Sequence, residues 1–288
     1  MGRQIIGEKL VINIINTPQG ILLSETYGRP IVYLDHWGFN EIALNKSYRK
    51  LFCEIMNRRK GILRISVYNI RELVNQSDNS QREQIYSLID EVDTGYINIH
   101  PREVINKENN IIRGLTPIIN PSVELEIFSS YLASKNYATD YKISEIVQVS
   151  VDNWNRAEMS ADSENFVAKI TNRIDSIRNN TKEIEKAKKR FIATKARGPK
   201  YQAATREIAS LAVDFVIMNK TMKMTKHSEW SDIFHLIVPV AYCDFVLLDR
   251  RWKNFIEQTG LKPPKIAYTF DKRTLTNFFS ALETYSFD

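Results

Sequence analysis

Apolar positions along the chain fall into two patterns, short continuous runs and longer stretches with helical spacing. The runs at 31–34 and 245–248 are typical of strands buried on both faces of a parallel sheet. Similar runs predict three further strands, at 64–67, 96–99 and 265–270. Ahead of them, residues 9–15 predict one more strand, which is followed by a turn at 18–20.

Stretches with apolar residues three or four positions apart predict helices between these strands. They lie at 40–59, 69–74, 82–92, 229–242, 250–258 and from about residue 272 onward. Between the third and fourth central strands no strand is predicted, and helical spacing recurs at 122–136, 143–156, 161–195 and 201–222. The pattern predicts an α/β fold with a central, mainly parallel five-stranded sheet, interrupted by a large helical insertion.

Composition supports a folded protein that stays in the cytoplasm. The 288 residues are 43% hydrophobic, enough to bury a substantial core. Cys53 and Cys243 lie far apart without zinc-type spacing, which suits reduced thiols. Glu8 falls where a signal peptide would begin its apolar stretch, and the apolar run at 233–248 is too short and polar to span a bilayer. We therefore expect a cytoplasmic location and no membrane partner.

Positive charge is concentrated in one part of the predicted insertion. Residues 181–206 hold nine Lys or Arg and two Glu, a net +7, so the remainder of a chain with net charge +6 sums to −1. A basic patch on a neutral body suits a polyanion bound through its phosphates, although a solvated helix face gives the same pattern. The candidate nucleic-acid-binding residues are Lys186, Lys188, Lys189, Arg190, Lys195, Arg197 and Lys200.

Four acidic residues lie close to predicted strand ends. Asp35 and Asp249 follow the first and fourth central strands, Glu72 lies on the helix after the second, and Asp232 begins the helix before the fourth. Right-handed crossovers leave the carboxyl ends of parallel strands on one edge, so these side chains should converge. Each also has a structural explanation: Asp232 complements a helix dipole, Asp249 pairs with a neighbouring Arg, and Glu72 is a surface residue.

Converging carboxylates need a positive partner. Two of them about 4 Å apart repel by roughly 4 kcal/mol at an effective dielectric of 20, which favours protonation or a bound cation. Oxygen ligands without clustered Cys or His favour Mg²⁺ or Mn²⁺, and either ion can activate water and polarise a phosphodiester. The sequence thus predicts a divalent-metal site. It contains no Gly-rich phosphate loop, so a nucleotide-hydrolysing motor is not supported.

The order of these acids resembles that of the PIN-domain nucleases. In that family an Asp ends the first strand, a Glu follows the second, a third acid opens the helix before the fourth strand, and a fourth acid ends that strand. The matching residues are Asp35, Glu72, Asp232 and Asp249. The segment HLIVPVAYCDFVLLDRRW is similar to a form of the family's C-terminal motif in which Tyr-Cys-Asp precedes the last strand. His36, Trp37 and Leu247 depart from the family's usual residues.

The resemblance covers roughly residues 28–115 and 228–288 and implies a PIN-like three-layer fold. We predict an N-terminal extension at 1–28, a PIN-like domain in two parts at 29–115 and 228–288, and the helical insertion at 116–227. In this interpretation the four acids are both the metal ligands and the catalytic residues. The chain holds no residue pattern for any other cofactor.

A metal-dependent nuclease is the function that the resemblance implies, with RNA expected rather than DNA. A toxin or phage-defence role, with a regulatory protein or antitoxin as partner, follows from the same resemblance, and an oligomer stays open. Two alternatives remain: a catalytically inactive PIN-like nucleic-acid-binding or scaffold module, and a metal-dependent phosphohydrolase of small phosphorylated molecules.

Four further residues lie close in sequence to the predicted site. His235 lies one helical turn after Asp232, where it either touches the site or is a satisfied core histidine. His36 and Trp37 either contact a base or pack in the core. Asp244 precedes the fourth strand, so we expect it at the opposite edge with a structural role.

Overall fold

The computed structural model describes residues 12–18, 20–25, 28–114, 142–153, 156–197, 204–222, 224 and 226–286. For 12–17, 20–25, 156–166, 197 and 227 the description is limited to the backbone. An antiparallel hairpin of β1 (Ile12–Thr17) and β2 (Gly20–Glu25) forms a sheet of its own ahead of the central sheet.

The central sheet has five strands, all parallel to their neighbours. They are β3 (Ile31–Leu34), β4 (Ile62–Ile65), β5 (Thr94–Tyr96), β6 (Phe245–Leu247) and β7 (Tyr268–Phe270). Their order is β5-β4-β3-β6-β7. The chain therefore winds outward from β3 in one direction and then returns to build the other half from β6. Ligand-binding crevices form at such a switch point, beyond the carboxyl ends of the strands.

Helices cover both faces of this sheet and complete three layers. They are α1 (His36–Leu44), α2 (Lys46–Arg59), α3 (Val67–Asn75), α4 (Asn79–Glu91), α5 (Pro101–Ile112), α6 (Ile143–Asn153), α7 (Arg156–Arg178), α8 (Thr181–Arg197), α9 (Ala204–Met218), α10 (His227–Tyr242), α11 (Arg250–Thr259) and α12 (Leu275–Thr284). One core includes α1, α2, α4, α6 and α12, and the other includes α5 and α7 to α11. The α3 helix contributes to both cores.

The two cores meet the central strands on opposite faces. On β3, Val32 and Leu34 belong to one core and Tyr33 belongs to the other. Successive side chains of a strand point to opposite faces, so a strand covered on both sides is apolar throughout. Tyr33 has no measurable exposure, and its hydroxyl therefore needs a partner inside the protein.

The predicted α/β class and the five-stranded parallel sheet are confirmed, and β3 has the predicted bounds. Both β4 and β5 begin two residues earlier than predicted. The end of β4 also comes early, at Ile65 and not at 67, because Ser66 caps α3 and forms a reciprocal capping box with Asn69.

Two predictions of single long helices are wrong. The stretch 40–59 divides at Asn45, whose side chain accepts hydrogen bonds from the backbone N–H groups of Ser47 and Tyr48 and so begins α2. The stretch 161–195 divides before Thr181, where Asn180 accepts from the N–H of Lys182 at 3.0 Å. In both places an asparagine side chain satisfies backbone groups locally, which favours a helix start over helix continuation. The helix predicted at 122–136 lies outside the described residues.

The helices between β5 and β6 pack against both cores. The α6 helix contacts α3 and α4, while α9 contacts α5, α8 and α10. The predicted domain boundaries at 28, 115 and 227 stay predictions. Within the described ranges, no helix combines the length and apolar character that a bilayer crossing requires.

Candidate functional site

The four predicted acids all lie at the carboxyl edge of the central sheet. Asp35 directly follows β3, and Asp249 lies two residues after β6, the strand paired with β3. Glu72 is on α3, which follows β4, and Asp232 is near the start of α10, which runs back toward the amino end of β6. The common edge of the four acids is as the sequence predicted, and the strand order shows in addition that Asp35 and Asp249 flank the switch point.

We call Asp35, Glu72, Asp232 and Asp249 the acidic cluster. Asp35 is its most buried member, with a relative exposure of 8%. Burial raises its pKa well above the usual range, and the negative charges of Glu72, Asp232 and Asp249 raise it further. The N–H of Gly38 donates to its Oδ1 at 3.0 Å, which opposes the rise in pKa and caps the start of α1. The carboxyl group thus has a structural role as well as an unfavourable charge.

The pKa of Asp232 is raised for the same two reasons. Burial raises its pKa from 3.8 to about 6, and the charges of Asp249 and Glu72 contribute to the rise, while His235 and Arg251 oppose it. Burial, and to a lesser extent the neighbouring carboxylates, thus make the charged forms of Asp35 and Asp232 unfavourable. A proton or a bound cation relieves this penalty.

Glu72 and Asp249 have oxygens that the described fold does not use. The Oε1 atom of Glu72 lies 3.2 Å from His235 Nε2. Its Oε2 atom is buried, has no hydrogen-bond partner among the described residues, and lies 3.8 Å from His36 Nδ1. Asp249 is exposed at the N-terminus of α11, where its side chain makes no capping hydrogen bond. A buried acceptor without a donor suits a cation or water.

A buried chain of hydrogen bonds connects Glu72 to the middle of the sheet. His235, with a relative exposure of 1%, contacts the hydroxyl of Tyr33 through Nδ1 at 2.5 Å and Glu72 through Nε2. The Tyr33 hydroxyl lies 2.9 Å from Ser66 Oγ. His235 therefore contacts one of the four acids and is also satisfied in the core, as the second of its two sequence interpretations expected. Sequence reasoning missed Tyr33, although a hydroxyl in a doubly buried strand is a signal for an internal partner.

Of the other three residues considered from the sequence, one faces the acidic cluster and two have structural contacts. His36 Nε2 lies 3.0 Å from Asn40 Nδ2, which donates to it and leaves the ring proton on Nδ1, facing Glu72. Trp37 packs against the core on the α1 face, in agreement with its structural interpretation. Asp244 lies at the opposite edge of the sheet, as expected, where its Oδ2 accepts from Ile31 N at 2.8 Å.

The basic residues lie on α8, away from this acidic cluster in their described contacts. Lys186 pairs with Glu183 at 2.6 Å, Lys188 pairs with Glu185 at 2.8 Å, and Arg190 forms a two-pronged pair with Asp214 of α9. Lys189 and Lys195 are exposed. The side chain of Arg197 and the whole of Lys200 lie outside the described residues. The structure brings the four acids together, and it shows no contact between them and the described basic residues.

The donor chemistry of the acidic cluster fits a hard divalent cation, because its ligands are carboxylate oxygens. As the described side chains stand, however, no three His, Cys, Asp or Glu residues form a group that could hold a metal ion. The prediction of Mg²⁺ or Mn²⁺ therefore stays a prediction.

Comparisons with models of protein families, with curated proteins and with solved structures find no match to this chain. The resemblance to the PIN-domain nucleases accordingly rests on the positions of the four acids and on the C-terminal segment.

Proposed function

We propose that this protein is a metal-dependent nuclease that hydrolyses phosphodiester bonds, with RNA as the preferred substrate. One observation carries the proposal: four carboxyl groups from four separate elements converge at the switch point of a parallel sheet, and burial together with the charges of the neighbouring acids raises the pKa values of Asp35 and Asp232. Such a concentration of unfavourable charge is typical of sites that bind a ligand of opposite charge.

Each acid has a distinct part in this proposal. Asp35 and Asp249 would hold Mg²⁺ or Mn²⁺, since they flank the switch point, and Asp232 would contribute directly or through water. The ion supplies Lewis-acid polarisation of the phosphodiester and lowers the pKa of bound water. Glu72 is held through Oε1 by His235, which leaves the buried Oε2 to accept a hydrogen bond from the attacking water.

The choice of RNA, the toxin or phage-defence role and a regulatory protein partner rest on the family resemblance. The exposed side chains of Lys189 and Lys195 on α8 would contact substrate phosphates, because they carry no ion pair among the described contacts.

Cleavage of labelled single-stranded RNA and DNA in Mn²⁺, Mg²⁺ or EDTA tests the proposal on the full chain. We expect cleavage that needs metal and falls at least about a hundredfold in Asp35→Asn, since a metal ion supplies several kcal/mol of transition-state stabilisation. Asp244→Asn is the matched control, because this buried aspartate lies at the other edge of the same sheet and should retain activity. Cleavage that persists in EDTA, or at full rate in Asp35→Asn, would contradict the proposal.

A second candidate, an inactive nucleic-acid-binding module, is favoured by one observation: the described acids do not form a ready three-ligand group. It predicts that Mn²⁺ does not raise the melting temperature and that RNA binding survives in Asp35→Asn with Asp249→Asn. The nuclease predicts a rise in melting temperature with Mn²⁺ in the wild type, because a ligand that binds the folded state stabilises it. That rise should be absent in the double variant.

A further inference from the structure

A group of aromatic rings lies beside the acidic cluster at the same edge of the sheet. Tyr68 is in the first turn of α3, His100 lies between β5 and α5, and Phe234 is on α10 next to His235. Arg71 follows Tyr68 by one turn and directly precedes Glu72. We name Tyr68, Phe234, His100 and Arg71 the aromatic platform.

The rings of the platform pack closely, with His100 stacked on Phe234 and Tyr68 tilted by 31° against it. The centroids of Tyr68 and Phe234 are 4.8 Å apart, and those of His100 and Phe234 are 6.3 Å apart with planes only 15° from parallel. The guanidinium carbon of Arg71 lies 5.7 Å from the centre of the Tyr68 ring. Aromatic and guanidinium faces of this kind are the groups on which nucleobases stack.

Exposure separates the platform from ordinary core packing. Tyr68 is buried, whereas Phe234 and Arg71 are partly exposed and His100 is exposed. The platform thus has a buried floor, formed by Tyr68, and a rim that solvent reaches. On its inner side the ring of Tyr68 lies 6.1 Å from that of His235, which contacts Glu72. One side chain therefore separates the platform from the acidic cluster.

We propose that the exposed rim of the platform, Phe234 and His100 with Arg71, binds an unstacked nucleobase next to the phosphodiester held at the acidic cluster. This inference rests on the proposed nuclease function and names its substrate class as single-stranded nucleic acid. A base can stack on protein rings only when it is splayed out of its own stack, which duplex bases are not. Stacking also tolerates every base, so the subsite selects strand state and not sequence.

Binding measured in EDTA tests the subsite without any cleavage. The probes are a fluorescent single-stranded oligoadenylate, an abasic ribose-phosphate strand of equal length, and a duplex of equal length. The wild type should bind the oligoadenylate at least about tenfold more tightly than the abasic strand, the scale of one or more base–aromatic stacks. Phe234→Leu should remove most of that ratio, whereas Phe234→Trp, which keeps an aromatic face, should retain it.

His100→Ala provides a second variant, because an exposed side chain can be removed without a fold defect. It should lower the same ratio several-fold with an unchanged melting temperature. Equal affinity of the wild type for the oligoadenylate and the abasic strand would overturn the subsite, as would a ratio that neither Phe234→Leu nor His100→Ala reduces. Preference for the duplex would overturn it as well.

A separate assay tests the proposed function: the Mn²⁺-dependent hydrolysis of methyl p-nitrophenyl phosphate by the wild type. This phosphodiester contains no nucleobase, so its turnover does not depend on the platform. Turnover without a preference for bases would overturn the subsite and leave the nuclease proposal standing. A preference for bases without turnover would support the platform as a binding surface and contradict the nuclease.

Discussion

Two aspartates at opposite ends of the same strand pair show how burial and charge compensation differ. Asp35 follows β3 and Asp244 precedes β6, and their relative exposures are nearly the same, 8% and 6%. Asp244 accepts hydrogen bonds from Ile31 N and the Tyr285 hydroxyl at 2.8 and 2.9 Å, and it lies 3.5 Å from Arg29. Its charge is therefore compensated by the fold.

Asp35 has the opposite surroundings. The donor described for its side chain is the N–H of Gly38. The charges that act on it are those of Glu72, Asp232 and Asp249, and all three raise its pKa. Two carboxylates of similar burial therefore differ in whether the surrounding groups satisfy the charge or add to it. That difference is the basis on which we propose a functional role for Asp35.

The largest contrast in stability is expected between Asp244→Asn and Asp35→Asn. Asp244→Asn should lower the free energy of unfolding by about 1–3 kcal/mol, because it weakens charge-assisted hydrogen bonds to buried groups. Asp35→Asn should raise the free energy of unfolding in EDTA, since asparagine still accepts from Gly38 and carries no charge. Urea unfolding of both variants measures this, and two losses of similar size would remove the contrast.

Two phenolic hydroxyls extend the comparison to activity. Tyr33→Phe removes the hydroxyl that contacts His235, the residue that positions Glu72, and should lower metal-dependent cleavage by about tenfold or more. Tyr285→Phe removes the hydroxyl that contacts Asp244 at the other edge and should leave cleavage unchanged. Steady-state rates with saturating Mn²⁺ separate the two, and equal rates would show that the buried hydrogen-bond chain does not act on the site.

The dependence of stability on pH should also differ between the acidic cluster and the rest of the protein. Folding raises the pKa of Asp232 from 3.8 to about 6, so the folded state binds more protons than the unfolded chain between these values. The stability from this group is therefore present below about pH 4 and is lost as pH rises through about 6. In EDTA, Asp232→Asn should gain stability relative to the wild type over that window.

Urea unfolding of both proteins along a pH series measures this difference. A stability difference that stays constant across the window would argue against the raised pKa. With Mn²⁺ present, the wild type should instead gain stability as pH rises, because the ionised carboxylates bind the cation.

The smallest effect is expected on α8, where the charges are partly compensated. Lys189→Gln with Lys195→Gln should reduce the slope of log affinity for single-stranded RNA against log salt by about 0.7 for each lost phosphate contact. Lys186→Gln with Lys188→Gln should change it less, because each lysine already pairs with a glutamate on its own helix. Titrations between about 50 and 200 mM salt test this. An unchanged slope in the first variant would remove α8 from the nucleic-acid interface.

Much of the acidic cluster was predictable because it depends on local pattern and handedness. Apolar runs mark β3 and β6, and right-handed crossovers place the residues that follow parallel strands on one edge, so Asp35 and Asp249 could be placed from the sequence. Glu72 and Asp232 followed from the helices next to those strands. The same reasoning placed Asp244 at the other edge.

The unpredicted features depend on residues that are distant in sequence or on local competition for backbone groups. Asn45 ends a helix that apolar spacing alone would continue, because its side chain satisfies the next helix start. The contact between Tyr33 and His235 joins residues 202 positions apart, and no local pattern specifies it. The platform of Tyr68, His100 and Phe234 likewise forms from three separate elements.

The sequence by itself determined the alternation of strands and helices, the parallel sheet, and the edge at which the four acids lie, because these follow from side-chain periodicity and the handedness of crossovers. Only the tertiary structure decided that β6 inserts beside β3, so that Asp35 and Asp249 flank a switch point. It also decided which carboxylates are compensated and which are not. The physical reason is that strand order and charge compensation depend on packing between distant segments, which local pattern does not encode.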